Sequence, residues 1–368
     1  MRIDKRKFYH LDWYLIILCL TLFAIGIMNL ISATSSLYSN SYSYIVKQLV
    51  AFAIGIVLIG IIVYYDYRVI ASQAKWIYAS GIFFVVLVLI IGMAAGGARR
   101  WISLFGISLQ PSEFMKPILV ICLANMLHER KKQNMSLGLR EIGKPLLMIM
   151  VPVILIVKQP DLGTGIVVLL TCFLVLWFVG IKRSTYALLF SVGAVSPFIM
   201  WFYLMKPYQK MRVLSFINID ADPAGFGYHA KQAIIAVGSG RFFGKGYMQG
   251  TQHKLRFIPE HHTDFIFTVF GEEWGFIGSV ILFAIFIAFI RRCLKIAMNS
   301  QDELGSIMAF GMASIIYIQF TINVLMAINL APVVGVPLPF ISYGGSSLLS
   351  TLASVGILLN ISMRRYMF

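Results

Sequence analysis

Polar residues along this chain come in short clusters, and the stretches between them are apolar on every face, with neither the period of a surface helix nor that of a half-buried strand. Ten such stretches are long enough to cross, or nearly cross, a hydrocarbon core: about residues 12–33, 44–65, 75–95, 112–128, 144–158, 162–181, 184–205, 266–290, 305–330 and 344–363. The fifth is the shortest. Backbone groups inside lipid must be satisfied within their own segment, so the pattern predicts helices. The expected fold is an all-α, polytopic membrane protein of ten transmembrane helices forming one domain over residues 1–368, with a long extracytoplasmic loop at about 206–265.

Composition agrees: 59% of residues are hydrophobic and 12% charged, against roughly a quarter charged in soluble domains. The net charge of +16 raises the question of a nucleic-acid partner, and its placement answers it. Basic residues gather at Arg2, Lys5, Arg6 and Lys7, at Arg68 and Lys75, from Arg130 to Lys144, at Lys182 and Arg183, at Arg291, Arg292 and Lys295, and at Arg364 and Arg365. With a cytoplasmic N-terminus all of these fall inside, which predicts a multi-pass membrane protein with both termini cytoplasmic, and no nucleic-acid role. The first stretch carries no small-residue cleavage site and is expected to stay as an anchor. Cys19, Cys122, Cys172 and Cys293 show no paired spacing and are expected to be small buried residues.

The connection at 206–265 holds eight basic and four acidic residues. Phe226, Tyr228, Ile234, Ile235, Phe242 and Phe243 argue that it is ordered and folds back over the membrane surface. A short interfacial helix is expected over Tyr228–Val237, ending at Gly238-Ser-Gly240.

Titratable residues at or inside a bilayer boundary are few and are functional candidates. The richest segment is Ile258–Phe267, where Glu260, His261, His262 and Asp264 precede an apolar run. Glu113 and Lys116 stand three apart and share a helix face, where they can pair, and Pro117 removes the amide that would bond the Glu113 carbonyl. A buried pair that only fixes helix packing and a pair that faces substrate are both open at this point. Lys158, Asp161, Glu272 and Glu273 complete the set. Gln319 and Asn323 are expected to form an interhelical hydrogen-bonding pair, and Gly344, Gly345, Ser346, Ser347, Ser350, Thr351 and Ser354 a close-packing surface.

Several chemistries are excluded. Gly238–Gly246 lacks the spacing and the preceding strand of a phosphate loop, although it brings Arg241 and Lys245 into one segment. His261 and His262 are adjacent and cannot form a His-Glu-x-x-His zinc pair, so no tight metal site is expected. No Gly-x-Ser-x-Gly elbow is present. A lone carboxylate beside cations suits attack of a sugar hydroxyl on a glycosyl carbon whose leaving group is a phosphate. The carboxylate removes one proton and the cations stabilise the departing charge, so the second carboxylic acid of a glycosidase is not required.

Five ordered motifs carry a resemblance over nearly the whole chain: Gln110-Pro-Ser-Glu113, Gln159-Pro-Asp-Leu-Gly-Thr164, Gly240–Gly246 with Gly250-Thr-Gln252, Pro259-Glu-His-His-Thr-Asp-Phe265, and Pro332-Val-Val-Gly-Val-Pro-Leu-Pro-Phe-Ile-Ser-Tyr-Gly-Gly345. Together they resemble the SEDS membrane glycosyltransferases, of the RodA type rather than the FtsW type. The resemblance implies a peptidoglycan polymerase of the cell-elongation machinery that uses lipid II as donor and acceptor and releases undecaprenyl pyrophosphate. It implies a class B penicillin-binding protein as transpeptidase partner, beside other elongation-complex membrane proteins. It places the catalytic aspartate on Asp264 and the polar pair on Glu113 and Lys116, and it singles out Asp161 as a structural or cavity residue. Glu260, His261 and His262 are expected to support Asp264, with Arg212, Arg241, Lys245, Lys254 and Arg256 as candidate pyrophosphate-binding cations. No cofactor is certain from the sequence, and a loosely held Mg or Mn ion stays open. The alternatives are a flippase for the lipid-linked precursor and a non-catalytic scaffold in which Asp264 caps a helix.

Overall fold

The computed structural model describes residues 11–35, 41–95, 98–104, 107–222, 225–252, 254–255, 257 and 262–365. In chain order its helices are α1 (Trp13–Thr34), α2 (Ser41–Tyr64), α3 (Tyr67–Ser72), α4 (Ala74–Ile91), α5 (Pro111–Lys132), α6 (Gly143–Lys158), α7 (Leu162–Val179) and α8 (Arg183–Ile199). They continue as α9 (Pro207–Ile217), α10 (Phe226–Ser239), α11 (Ile266–Met298), α12 (Glu303–Ala327) and α13 (Gly345–Arg364). Local chemistry starts several of them. Asp12, Asp161 and Asp302 each accept a backbone N–H of the first turn, at 3.1, 3.3 and 2.8 Å.

The protein is an all-α polytopic membrane protein. Among the described residues, α1, α2, α4, α7, α11, α12 and α13 are long and apolar enough to cross a bilayer. The other three predicted stretches also form helices, but charge in α5 and the 16- and 17-residue lengths of α6 and α8 keep them outside that criterion. The count of ten crossings therefore rests on the sequence pattern alone.

Two features depart from the sequence reading. A small antiparallel sheet, β1 (Met93–Ala95), β2 (Ala98–Leu104) and β3 (Ile107–Leu109), occupies the connection before α5. The long connection contains α9 as well as the expected interfacial helix, which runs from Phe226 to Ser239.

α13 is the central helix. Ser346, Ser350, Thr351, Ser354 and Asn360 are buried in it, and it packs against α2, α5 and α12. Stacked rings, Phe286–Phe320 at 4.2 Å and Phe178–Phe310 at 4.1 Å between centroids, tie α11 and α7 to α12.

α11 is broken at Gly275, which has φ 64° and ψ −159°, a conformation open only to glycine. The break frees backbone groups inside the span, and the Gly240–Gly246 segment satisfies them. Phe276 and Ile277 donate to the carbonyls of Arg241 and Phe242 at 2.8 and 3.1 Å, and Lys245 and Gly246 donate to the carbonyls of Glu272 and Glu273 at 3.0 Å each. The glycines that resembled a phosphate loop serve this clasp: a Cβ on Gly244 would stand 2.0 Å from the Glu273 carbonyl oxygen.

Candidate functional site

Asp264 lies two residues before α11, and its surroundings are built from three other parts of the chain. The N-cap position of α11 falls on Phe265, which supplies no side-chain cap. The Asp264 backbone carbonyl accepts a 2.8 Å hydrogen bond from Asn323 Nδ2 of α12, and the same amide donates to the Val336 carbonyl at 2.7 Å. One buried amide thus joins the aspartate segment to the loop before α13. Of the expected interhelical hydrogen-bonding pair, Asn323 thus bonds across to other parts of the chain, whereas neither amide atom of Gln319 has a partner among the described residues.

The loop meets the aspartate directly. Gly335 has φ +73°, and a Cβ there would stand 3.1 Å from Asp264 Oδ2. Glycine at 335 therefore lets the turn form and leaves the carboxylate its space. On the flanking side, Ser342 Oγ donates to the Thr263 carbonyl at 2.6 Å and accepts the Leu338 amide at 2.8 Å, while the Tyr343 amide donates to the His262 carbonyl at 3.0 Å. Gln48 of α2 brackets this turn, donating to the Ser342 carbonyl at 3.1 Å and accepting from the Gly344 amide at 3.2 Å.

The His262 imidazole packs 5.0 Å from the Tyr44 ring, and Tyr44 meets Tyr343 edge-on at 4.9 Å. Burial holds the Tyr343 phenol above its usual pKa, so its hydroxyl stays protonated at neutral pH.

Glu113 and Lys116 form the predicted pair at 2.7 Å, both buried, 4% and 2% exposed. The carbonyl that Pro117 leaves without an amide accepts instead from Ser350 Oγ of α13 at 2.8 Å. Ser342, Ser346 and Ser350 therefore each hold a different piece of the region. Ser342 holds the aspartate segment. Ser346 accepts the Gln110 amide at 2.8 Å and donates to the Ser108 carbonyl at 3.2 Å, and Ser350 holds Glu113.

Asp161 is buried at the start of α7. It caps that helix and accepts from Gln110 Nε2 at 2.7 Å and Ser112 Oγ at 3.3 Å, with the Arg100 guanidinium at 4.0 Å. Arg100, on β2, also donates to the carbonyls of Gln159 and Pro160. The Gln-Pro-Ser-Glu and Gln-Pro-Asp motifs are thus joined at one carboxylate. A small apolar cluster of Val167, Ile318 and Val336, with Val334 packed on it, seats the 334–336 loop against α7.

Of the proposed cations, Lys245 is committed elsewhere. Its ammonium donates to the buried Glu272 carboxylate at 2.6 Å and to Thr251 Oγ1 at 2.9 Å. Glu272 also accepts the Thr251 amide at 2.8 Å, and Glu273 accepts from Ser32 Oγ. Arg212 is half-buried on α9, and Arg241 is exposed on the clasp. Arg256, Glu260 and His261 lie outside the described residues. Among the described residues no three His, Cys, Asp or Glu side chains come together as metal ligands.

The sequence reading missed Asn323 as a positioning residue, Gln48 and Tyr44 four apart on α2, Arg100, and the serine series. The available signals were an amide inside an apolar span and serines repeating every four residues at 342, 346, 350 and 354.

A polytopic helical membrane domain whose buried polar groups converge on an aspartate at a span boundary is the class of protein that fold and site define. Residues 10–367 match the family described as the cell cycle proteins FtsW, RodA and SpoVE, and the chain belongs to that family. It is 36% identical over 368 residues to the peptidoglycan glycosyltransferase MrdB of Escherichia coli, covering 99% of this chain and 97% of the relative. It is 37% identical over 357 residues to stage V sporulation protein E of Bacillus subtilis, covering 95% and 96%. Among solved structures it is similar to a chain of a peptidoglycan synthase complex that coordinates polymerization and crosslinking, with TM-score 0.82, 30% identity, and 97% and 99% of the two chains covered. It is also similar to the rod shape determining protein RodA of Thermus thermophilus, with TM-score 0.71, 28% identity, and 97% and 98% covered.

Proposed function

We propose that this protein is a peptidoglycan glycosyltransferase of the bacterial plasma membrane, with both termini cytoplasmic, that polymerises lipid II into glycan strands for cell elongation. The kinship over the full chain with peptidoglycan glycosyltransferases supports the activity. One observation carries the role of Asp264: its backbone is fixed by Asn323 and its carboxylate faces the Gly335 turn.

In the proposed reaction the acceptor sugar 4-hydroxyl oxygen attacks C1 of the donor and its proton passes to the Asp264 carboxylate. The bond from C1 to the phosphate oxygen breaks, and undecaprenyl pyrophosphate leaves with the electron pair, inverting the anomeric carbon. Arg212 and Arg241 are the proposed pyrophosphate cations, with Glu260 and His262 as polar support. Lys245, neutralised by Glu272, would act on the pyrophosphate only if that pair opened. Glu113, Lys116 and Asp161 are the proposed cavity residues, with Glu113 held by α13 and Asp161 at the start of α7. No step is routed through a divalent cation. A class B penicillin-binding protein is the proposed transpeptidase partner, and a crosslinking complex containing a chain of this fold supports it.

Purified protein with its transpeptidase partner and purified lipid II in detergent tests the reading. Detergent has no leaflets to connect, so glycan strands formed there come from polymerisation, whereas a flippase would form none. Asp264→Asn retains the size of the side chain and one acceptor oxygen but cannot take up the proton. It should remain folded and lose polymerisation by about 100-fold or more. Near wild-type polymerisation by a folded Asp264→Asn protein would remove Asp264 from the chemistry.

A further inference from the structure

At the end of α11 far from Asp264, a cleft of about 640 Å³ opens between α11 and the start of α1. Its lining combines three cations, Arg291, Arg292 and Lys295, with the apolar surfaces of Ala288, Leu294, Met298 and Tyr14. Basic residues at a helix end are ordinary in a membrane protein, where they face water or snorkel towards it. This group differs in being concave and in the way its charges are arranged.

Arg292 is anchored. It donates to buried Asp12 at 2.6 Å, and its guanidinium lies 5.7 Å from the Tyr14 ring centroid. Asp12 also caps α1, so this single carboxylate fixes both walls of the cleft. Arg291 and Lys295 stand four apart on α11 and share a face, both exposed, with no carboxylate partner among the described residues. Three cations against one carboxylate leave a net positive cleft, and its apolar walls continue along a lipid-facing helix whose Ile287 is 56% exposed.

We propose that this cleft binds the phosphate headgroup of an anionic phospholipid, with Arg291 and Lys295 on the phosphate and the acyl chains along Ala288 and Leu294. The chemistry is that of two free donors of fixed charge beside a preorganised arginine, with hydrocarbon directly above them. A free phosphate ion would satisfy the cations but leave the apolar walls uncovered, and a zwitterionic lipid would bring a choline cation against them.

Native mass spectrometry of the full-length protein in detergent, titrated separately with phosphatidylglycerol, phosphatidylcholine and inorganic phosphate, tests this. Phosphatidylglycerol should bind and phosphatidylcholine should not. R291Q/K295Q should weaken phosphatidylglycerol binding by roughly 5-fold per removed cation, about 25-fold in all. The variant should keep the wild-type melting temperature without added lipid. If the double variant fails that check, K295E alone, at an exposed position, should still weaken binding by more than about 5-fold. Equal retention of both lipids, or unchanged binding in the variants, would overturn the proposal. Displacement of phosphatidylglycerol by millimolar inorganic phosphate would make the cleft a small-anion site and refute the lipid assignment.

Discussion

Replacing Gly275 with alanine tests whether the clasp across α11 is built as described. The new Cβ would stand 2.3 Å from the Gly244 amide nitrogen, 2.8 Å from the Gly240 carbonyl oxygen and 2.9 Å from the Phe242 carbonyl oxygen. All three are backbone atoms, so no side chain can swing aside. Holding alanine at φ 64°, ψ −159° costs about 1–3 kcal/mol. Moving the clasp to relieve the overlap loosens up to four backbone hydrogen bonds, each worth about 1 kcal/mol net. The expected loss is about 3–5 kcal/mol, assuming roughly half of those bonds are lost. Gly60→Ala is the matched control, since a Cβ there has no atom within 4 Å in mid-helix, and alanine should be neutral or stabilising by up to about 1 kcal/mol. Thermal unfolding in detergent with hydrogen exchange at the Lys245, Gly246, Phe276 and Ile277 amides measures the difference. Wild-type melting and full protection of those four amides in Gly275→Ala would refute the reasoning.

Further outcomes are expected at the polar supports. Ser350→Ala should cost about 1–2 kcal/mol by orphaning the Glu113 carbonyl, and adding Pro117→Ala should recover part of that by restoring the missing amide; additive losses in the double variant would contradict this account. Asn323→Leu strands the Asp264 and Val336 carbonyls and should cost about 2–4 kcal/mol, with polymerisation falling more than the folded fraction, as read by activity per folded molecule. Lys245→Met leaves the Glu272 carboxylate buried without its cation and should cost about 2–3 kcal/mol, less than for a fully buried pair because the Lys245 side chain is 29% exposed; Glu272→Gln in the same chain should recover stability in thermal melts. Burial lowers the His229 pKa below its ordinary 6.5, with Asp222 opposing. The neutral ring is the folded form, so no stability is at stake above that pH, and stability is lost as pH falls below 6.5 and the unfolded chain takes up the proton first. The melting-temperature drop between pH 7.5 and pH 5 should therefore shrink in His229→Gln.

How far the chain could be read depended on the range of the forces involved. Helix ends within lipid follow from local apolarity, and the predicted stretch at 162–181 appears as Leu162–Val179 and that at 344–363 as Gly345–Arg364. The Glu113–Lys116 pair was legible because both partners sit on one helix turn. The sheet at 93–109 was not foreseen, because its strands are three to seven residues long and follow directly on an apolar helix that absorbs them by pattern. Gly96-Gly97 and Phe105-Gly106 were the hairpin signals. Asn323 was expected to bond across helices, but which groups it reaches was not legible, because its partners are 59 and 13 residues away in sequence and are backbone carbonyls, which carry no residue-type signature. The clasp was invisible for the same reason: its glycines are explained only by the carbonyls that approach them.

The supports that converge on Asp264 and Glu113 from the α13 side are hydroxyls and amides. Ser342, Ser346, Ser350, Asn323 and Gln48 carry no charge at any pH the cell meets. Protons and salt therefore have little purchase on this part of the scaffold. Rate changes of a folded enzyme between acid and neutral pH, or between dilute and concentrated salt, are then expected to originate in charged groups outside this framework, among them the proposed base Asp264, His262 and the proposed cations Arg212 and Arg241.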